Sequence, residues 1–151
     1  MTFESLYWED VREGQELPAI TRDITPTMVI SCAIASRDFT PLHHEREFAQ
    51  KLGLKDIFIN THTIYGLAGK YLTDWSGPGG ELKEIALRLM MPCFAGDSLT
   101  ITGKAVKKYV AGDDCCVELE FTFAVPSALN CTGKAKMVLP ARSASRERPT
   151  G

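Results

Sequence analysis

The sequence changes its hydrophobic period once, and that change limits the folds open to it. Ile64, Leu67, Ala68, Tyr71, Leu72 and Trp75 recur at helical spacing and form one continuous apolar stripe. The segment Ser76-Gly77-Pro78-Gly79-Gly80 then forbids continuation of that helix. Beyond Gly80 the apolar positions alternate: Ile85, Leu87 and Leu89, then residues 98–106, then Val117, Leu119, Phe121 and Phe123, and finally Ala135, Met137 and Leu139. Each run predicts a strand with one buried and one wet face, joined by turns at Ala95-Gly96-Asp97, Gly112-Asp113-Asp114 and Pro126-Ser127. A long apolar helix followed by antiparallel strands has one economical solution, an α+β arrangement in which the sheet wraps around the helix. Such a sheet leaves edges, which a dimer pairing edge to edge would cover.

Ahead of the long helix the signals are weaker. Tyr7 and Trp8 read as anchors in a mixed segment punctuated by Gly14 and Pro18. Thr25-Pro26 reads as an N-cap followed by proline at the first helical position. The run 28–35 is apolar on nearly all sides, which predicts a largely buried helix ending near Asp38, ahead of Pro41. A charged helix over about 44–52 follows, capped by Gly53. Gly66 and Gly69 interrupt the long helix, where each costs up to ~1 kcal/mol relative to alanine. Close packing of the helix on the sheet is the favoured explanation for them, and backbone approach to a ligand is the other.

One domain is expected over residues 1–140, with a disordered polar tail over 141–151. A chain of 151 residues, 44% of them apolar, can build such a core without staples. Seventeen Lys and Arg against nineteen Asp and Glu exclude a basic nucleic-acid surface as a bulk property. No apolar run approaches the ~18–20 residues of a membrane span. The acidic start, Met1-Thr2-Phe3-Glu4-Ser5, does not read as a secretory signal. Five cysteines without C-x-x-C spacing predict free thiols in a reducing compartment, and a cytoplasmic location is expected.

Asp38-Phe39-Thr40-Pro41-Leu42-His43 is the segment with chemistry in it. It sets a carboxylate at a helix end and an imidazole five residues on, across a proline break. On one continuous helix the two would point apart, whereas the break lets them converge. The helix C-terminus should raise the carboxyl pKa, and the start of the next helix should keep the imidazole neutral, which together make an acid/base pair. Spacing alone leaves open, and favours, a blander alternative: Asp38 is solvated and His43 or His44 caps a helix. His43-His44-Glu45 has no third ligand at usable spacing, so no metal is expected. His62, in the first turn of the long helix, is as suited to capping or packing as to touching a ligand. Cys115-Cys116 reads as structural and Lys107-Lys108 as a solvated strand end. There is no phosphate loop, dinucleotide fingerprint or nucleophile elbow.

The sequence resembles the MaoC-like, hot-dog-fold (R)-specific enoyl-CoA hydratases and dehydratases. Their pattern, roughly D-x-N-P-x-H after a helix ending in small residues, stands here as Ala35-Ser36-Arg37-Asp38-Phe39-Thr40-Pro41-Leu42-His43. A second family feature, an apolar-P-x-x-x-G-D turn, stands as Met91-Pro92-Cys93-Phe94-Ala95-Gly96-Asp97. The resemblance runs from about Tyr7 to Leu139. It implies a five-stranded antiparallel sheet around a helix over 60–75, and a water held and activated by Asp38 and His43. It also implies an N–H near Thr61, at the helix start, that stabilises charge developing on a thioester oxygen. Asn60, His62, Gly66 and Gly69 join Thr61 as candidates for binding the substrate. Four positions depart from the family: Arg37 stands for the usual Gly, Thr40 for the common Asn, and Asn60-Thr61 for the usual His-Gly.

More narrowly, Arg37-Asp38-Phe39, His43-His44, Lys55-Asp56-Ile57-Phe58-Ile59-Asn60 and Tyr71-Leu72-Thr73-Asp74-Trp75-Ser76-Gly77-Pro78 resemble the small catalytic subunit of the actinobacterial steroid side-chain enoyl-CoA hydratases. That resemblance implies hydration of a trans-2-enoyl-CoA bearing a bulky steroid side-chain acyl group. It also implies a second, non-catalytic hot-dog subunit as partner, or otherwise a homodimer. Coenzyme A would enter as part of the substrate, with no separate cofactor. Small residues at Gly66, Ala68 and Gly69 would leave room for the acyl group. The alternatives are a general short-chain (R)-enoyl-CoA hydratase or dehydratase, and a non-catalytic acyl-CoA-binding hot-dog subunit. A thioesterase of this fold is disfavoured, because those sites carry their carboxylate on or near the central helix, where this chain offers Asp74 close to the far end.

Overall fold

The computed structural model describes residues 4–142. Its main elements are β1 (Glu16–Asp23), α1 (Pro26–Ala35), a 3-10 turn (Pro41–His43), α2 (Arg46–Lys51) and α3 (Thr61–Ser76). They are followed by β2 (Glu81–Leu89), β3 (Ser98–Ala111), β4 (Asp114–Val125) and β5 (Ala128–Val138). The five strands form one antiparallel sheet in the order β1-β3-β4-β5-β2, with β1 and β2 at its edges.

The long helix sits where the apolar stripe predicts. Asn60 caps α3, its side-chain oxygen accepting from the Thr63 N–H at 2.9 Å. Ile64, Ala68, Tyr71 and Leu72 are buried, with Leu67 and Trp75 packed at the margin of the core. They share that core with the inward side chains of β4 (Val117, Leu119, Phe121 and Phe123) and of β3 (Leu99, Ile101 and Ala105). Each large side chain buried there stabilises the fold by roughly 1.5–3 kcal/mol, so helix on sheet is the main source of stability. On the outer face, Lys104, Glu120 and Lys134 stand side by side across three strands, as do Lys107, Glu118 and Lys136. Opposite charges directly across strands make this a solvated, mutually supporting ladder. Trp8 is an anchor as expected, its indole N–H donating to the Cys116 carbonyl at 3.1 Å. Lys108 is not a solvated strand end: its ammonium lies 4.2 Å from a Trp8 ring centroid and donates to the Val11 carbonyl.

Two regions differ from the sequence expectation. The strand β1 lies where the residue pattern marked no strand, because Leu17 is its one buried residue. It is an edge strand whose pairing slips between Leu17 and Ile20, and Pro18, which has no N–H to offer a ladder, sits in that slip. α1 is less buried than its apolar circumference predicts: Val29 and Ala33 are its buried residues, and Ile34 is 59% exposed. Apolarity all round does not say how many sides are covered, and α1 packs one side against α3 and the 3-10 turn.

Among the described residues, no helix is long and apolar enough to cross a membrane. All five cysteines are free thiols, and burial pushes the Cys93 thiol up to about 12, too high for ready ionisation. Of the expected tail, Arg142 pairs with Asp10 at 2.6 Å. Positions 143–151 lie outside the described residues.

Candidate active site

The site begins where α1 stops. Ser36 is the C-cap, and Arg37 takes a left-handed conformation with φ of 55°. The Arg37 N–H donates to the Ile34 carbonyl at 3.0 Å and the Asp38 N–H to the Ala33 carbonyl at 2.9 Å. That is a Schellman closure, which reverses the chain at Asp38. The Asp38 carboxylate is then held from three directions. Its Oδ1 accepts from the Thr40 hydroxyl at 2.8 Å and the Thr40 N–H at 3.3 Å. Its Oδ2 accepts from Asn60 Nδ2 at 3.0 Å and lies 3.4 Å from His43 Nε2.

His43 ends the 3-10 turn that Pro41 starts, and it is buried. Its Nδ1 lies 2.8 Å from the Phe58 carbonyl oxygen. A carbonyl can only accept, so Nδ1 carries the hydrogen, and Nε2 is the nitrogen that faces Asp38. The Phe58 carbonyl is itself fixed. The Ile59 N–H donates to the Cys93 carbonyl at 3.0 Å and the Ala95 N–H to the Ile57 carbonyl at 2.9 Å, bracketing a bridge between Phe58 and Phe94. The following turn is closed by Gly96, with φ of 92°, and by Asp97 Oδ2, which accepts from the Phe94 N–H at 2.8 Å. The second sequence motif therefore serves the first: the Gly-Asp turn steadies Phe94, Phe94 pairs with Phe58, and Phe58 orients His43.

The electrostatics correct the sequence expectation. The Asp38 carboxyl is held below its usual range, not above it. The Thr40 hydroxyl contributes most, with Asn60, the Thr40 N–H and His43 adding to it, and together they outweigh partial burial. The helix-end dipole does not oppose this strongly, because the terminal carbonyls of α1 already accept from Arg37, Asp38 and the Ser36 hydroxyl. His43 lies three residues ahead of α2 and not at its N-terminus, so the dipole argument made for it does not apply.

Asp38, His43 and Thr61 line one cavity of about 250 Å³, walled also by Phe58, Met91 and Asn130. Thr61 is the first residue of α3, so its N–H has no intrahelical acceptor. Asn60 is tied to Asp38 but is not part of the cavity wall, and neither are His62, Gly66 and Gly69. The packing explanation for the two glycines is overturned. A Cβ added at Gly66 or Gly69 would meet nothing within 4 Å, so both lie on a side of α3 that this chain leaves open. Larger hollows of about 680 and 920 Å³ lie over the sheet and beside β1, and neither contains a histidine. Sequence reasoning missed Phe58 and Asn130. Phe58 contributes a backbone carbonyl, which residue type does not reveal. Asn130 Nδ2 donates to the Met91 carbonyl at 2.5 Å, across a separation no motif spans.

A sheet wrapped around one helix, with an acid and an imidazole meeting at that helix's N-terminal end, defines the hot-dog hydratase class of enzyme. The family model described as MaoC like domain matches residues 10–122, and the chain belongs to that family. It is 44% identical over 91 residues to the 3-oxo-4,17-pregnadiene-20-carboxyl-CoA hydratase beta subunit of Mycobacterium tuberculosis, covering 60% of this chain and 70% of that one. A crystal structure of the ChsH1-ChsH2 complex from Mycobacterium tuberculosis superposes with a TM-score of 0.79 at 33% identity, covering 85% of this chain and 98% of that chain. The (R)-hydratase from A. caviae involved in PHA biosynthesis shares the fold, with a TM-score of 0.78 at 23% identity over 87% of this chain and 99% of that one.

Proposed function

We propose that this chain adds water across the trans-2 double bond of an enoyl-CoA thioester, with Asp38 and His43 holding the water and the Thr61 N–H receiving the developing charge. One observation carries the reading: Asp38 Oδ2 and His43 Nε2 face each other across 3.4 Å, with His43 Nδ1 committed to a backbone carbonyl. An ionised carboxylate and a neutral ring nitrogen both accept hydrogen bonds, and neither donates. A water giving one O–H to each satisfies both and keeps its lone pairs for the β-carbon. As the C–O bond forms, one proton leaves the water for the pair and one is delivered to the α-carbon, so H and OH add in net and the pair is regenerated. The π electrons move toward the thioester oxygen, where an unpaired N–H at a helix N-terminus is well suited to meet them. Coenzyme A arrives as part of the substrate, and the chemistry needs no separate cofactor.

The finer reading is a bulky steroid side-chain acyl group and a second hot-dog subunit. It is supported by the relative named as the beta subunit of a pregnadiene-carboxyl-CoA hydratase and by the two-component complex. Phe39, Met90 and Met91 are 66%, 50% and 56% exposed, which is apolar surface that an acyl group or a partner would cover. The cavity of about 250 Å³ is smaller than the ~300–1,000 Å³ typical of drug-sized ligands, so a bulky group needs walls from a second chain. The same small volume favours a second reading, a short-chain (R)-hydratase acting as a homodimer.

The test is hydratase activity, followed by loss of the enoyl-thioester absorbance. Crotonyl-CoA and a steroid-side-chain enoyl-CoA are offered with and without a second hot-dog subunit. Turnover of the steroid substrate alone, and only with the partner, is the expected result. Turnover of crotonyl-CoA by the chain alone moves the assignment to the short-chain hydratases. Binding of CoA ligands without turnover of either substrate leaves an acyl-CoA-binding subunit and sinks the catalytic reading.

A further inference from the structure

Asn60 does more than a helix cap requires. It is 2% exposed, and its side chain uses every hydrogen-bonding position it has. Oδ1 accepts from the Thr63 N–H at 2.9 Å and the Thr63 hydroxyl at 2.6 Å. Nδ2 donates to Ser36 Oγ at 2.8 Å and to Asp38 Oδ2 at 3.0 Å. The orientation of the amide follows from its partners: turned over, its oxygen would face a carboxylate and its NH2 an N–H donor. Ser36 in turn donates to the Cys32 carbonyl at 2.8 Å, in the last turn of α1. One buried amide therefore bridges the end of α1 to the first turn of α3. A cap needs the oxygen alone, and Ser, Thr or Asp supply it as well as Asn does. The NH2 half is what distinguishes this residue, and it points at the carboxylate.

We infer that Asn60 is the positioning residue of this site, locking the Asp38 carboxylate to the first turn of α3 and so setting its distance from the neighbouring Thr61 N–H. The inference rests on the function proposed above. It also explains why Asn60, chosen from the sequence as a substrate contact, lies outside the cavity wall: it acts through Asp38. Among the groups around Asp38, His43 is the titratable one that faces it, while Thr40 and Asn60 are uncharged donors.

The test uses Asn60→Ser and Asn60→Asp in the full chain, since both keep a capping oxygen for α3 and remove the NH2. Serine is too short to reach Asp38, and aspartate sets a second carboxylate against it. In Asn60→Ser, kcat should fall on the order of 10- to 100-fold with KM little changed. The acid limb of the pH–rate profile should move to higher pH in both variants, and further in Asn60→Asp, because a lost donor and an added like charge both favour protonated Asp38. A plain capping role predicts lowered thermal stability at most, with kcat and the acid limb unchanged, and that result overturns the inference. Titration of the Asp38 carboxyl carbon by NMR reads the same coupling without turnover. An upward shift in Asn60→Ser supports the inference, and an unmoved titration overturns it. If the wild-type chain hydrates no enoyl-CoA with or without a partner, the proposed function fails, while the carboxyl titration still decides whether Asn60 governs Asp38.

Discussion

The C-termini of α1 and α2 close with the same backbone motif but carry different residues at its left-handed position. At the end of α2 that position is Gly53, with φ of 83°; its N–H bonds the Gln50 carbonyl at 2.9 Å, and the Leu54 N–H bonds the Ala49 carbonyl at 3.1 Å. At the end of α1 the equivalent residue is Arg37, with φ of 55°. Glycine adopts this conformation without penalty, whereas a residue with a Cβ is strained by ~1–2 kcal/mol. The chain thus follows the ordinary rule at the end of α2 and breaks it immediately before Asp38. Strain of this kind persists where surrounding contacts over-determine the conformation, and Thr40, His43 and Asn60 all converge on the residue that follows Arg37.

The two helix ends should differ most in their effect on turnover. Asp38→Asn should retain the fold and lower kcat/KM by ~10²–10⁴-fold, the usual worth of a positioned acid/base group. Gly53→Ala, at the matching helix end, should leave turnover unchanged. Steady-state kinetics on one substrate decides, and equal losses in the two variants would erase the distinction between a chemical and a structural helix end. A smaller effect is expected in stability. Gly53→Ala should destabilise the chain by ~1–2 kcal/mol, read as a lower urea midpoint at constant m. Arg37→Gly should do the opposite, raising the midpoint through a stability gain of up to about 1 kcal/mol as the strain is relieved against the greater freedom of glycine in the unfolded chain. A drop in stability for Arg37→Gly would mean that the arginine side chain contributes more than its backbone costs.

The smallest effect is the response to acid. The folded pKa of Asp38 lies below its unfolded value. Its stabilising contribution is therefore complete above the unfolded carboxylate range, near pH ~3.9, and is lost as pH falls through the lower folded value. The stability gap between wild type and Asp38→Asn should close across that acid window, while the gap for Gly53→Ala stays constant. Urea midpoints at a series of pH values would show this, and a gap that widened in acid would contradict the lowered pKa.

Much of this was legible before any tertiary contact was known. The α3 stripe, the alternation of β4 and the helix break before Pro41 are local patterns, and each appears where the pattern predicts. β1 was illegible because an edge strand with one buried residue has no face to mark. The glycines at 66 and 69 were legible as exceptions but not as to cause, since a helical glycine reads the same whether a sheet presses on it or nothing does.

The layers, and the segment that brings Asp38 and His43 together, were readable from the sequence alone. Both are written over short spans, in the period of the apolar residues and in a six-residue segment around a proline. Tertiary structure decided the state of those groups. Asp38 takes its low pKa in part from Asn60, 22 positions away, and His43 takes its tautomer from the carbonyl of Phe58, 15 positions away. The physical reason is that hydrogen bonds act over about 3 Å of space without regard to the chain between. Here the closure of α1 and the capping of α3 bring the Asn60 amide to 3.0 Å from the Asp38 carboxylate, and the turn begun by Pro41 sets His43 Nε2 at 3.4 Å from the same oxygen.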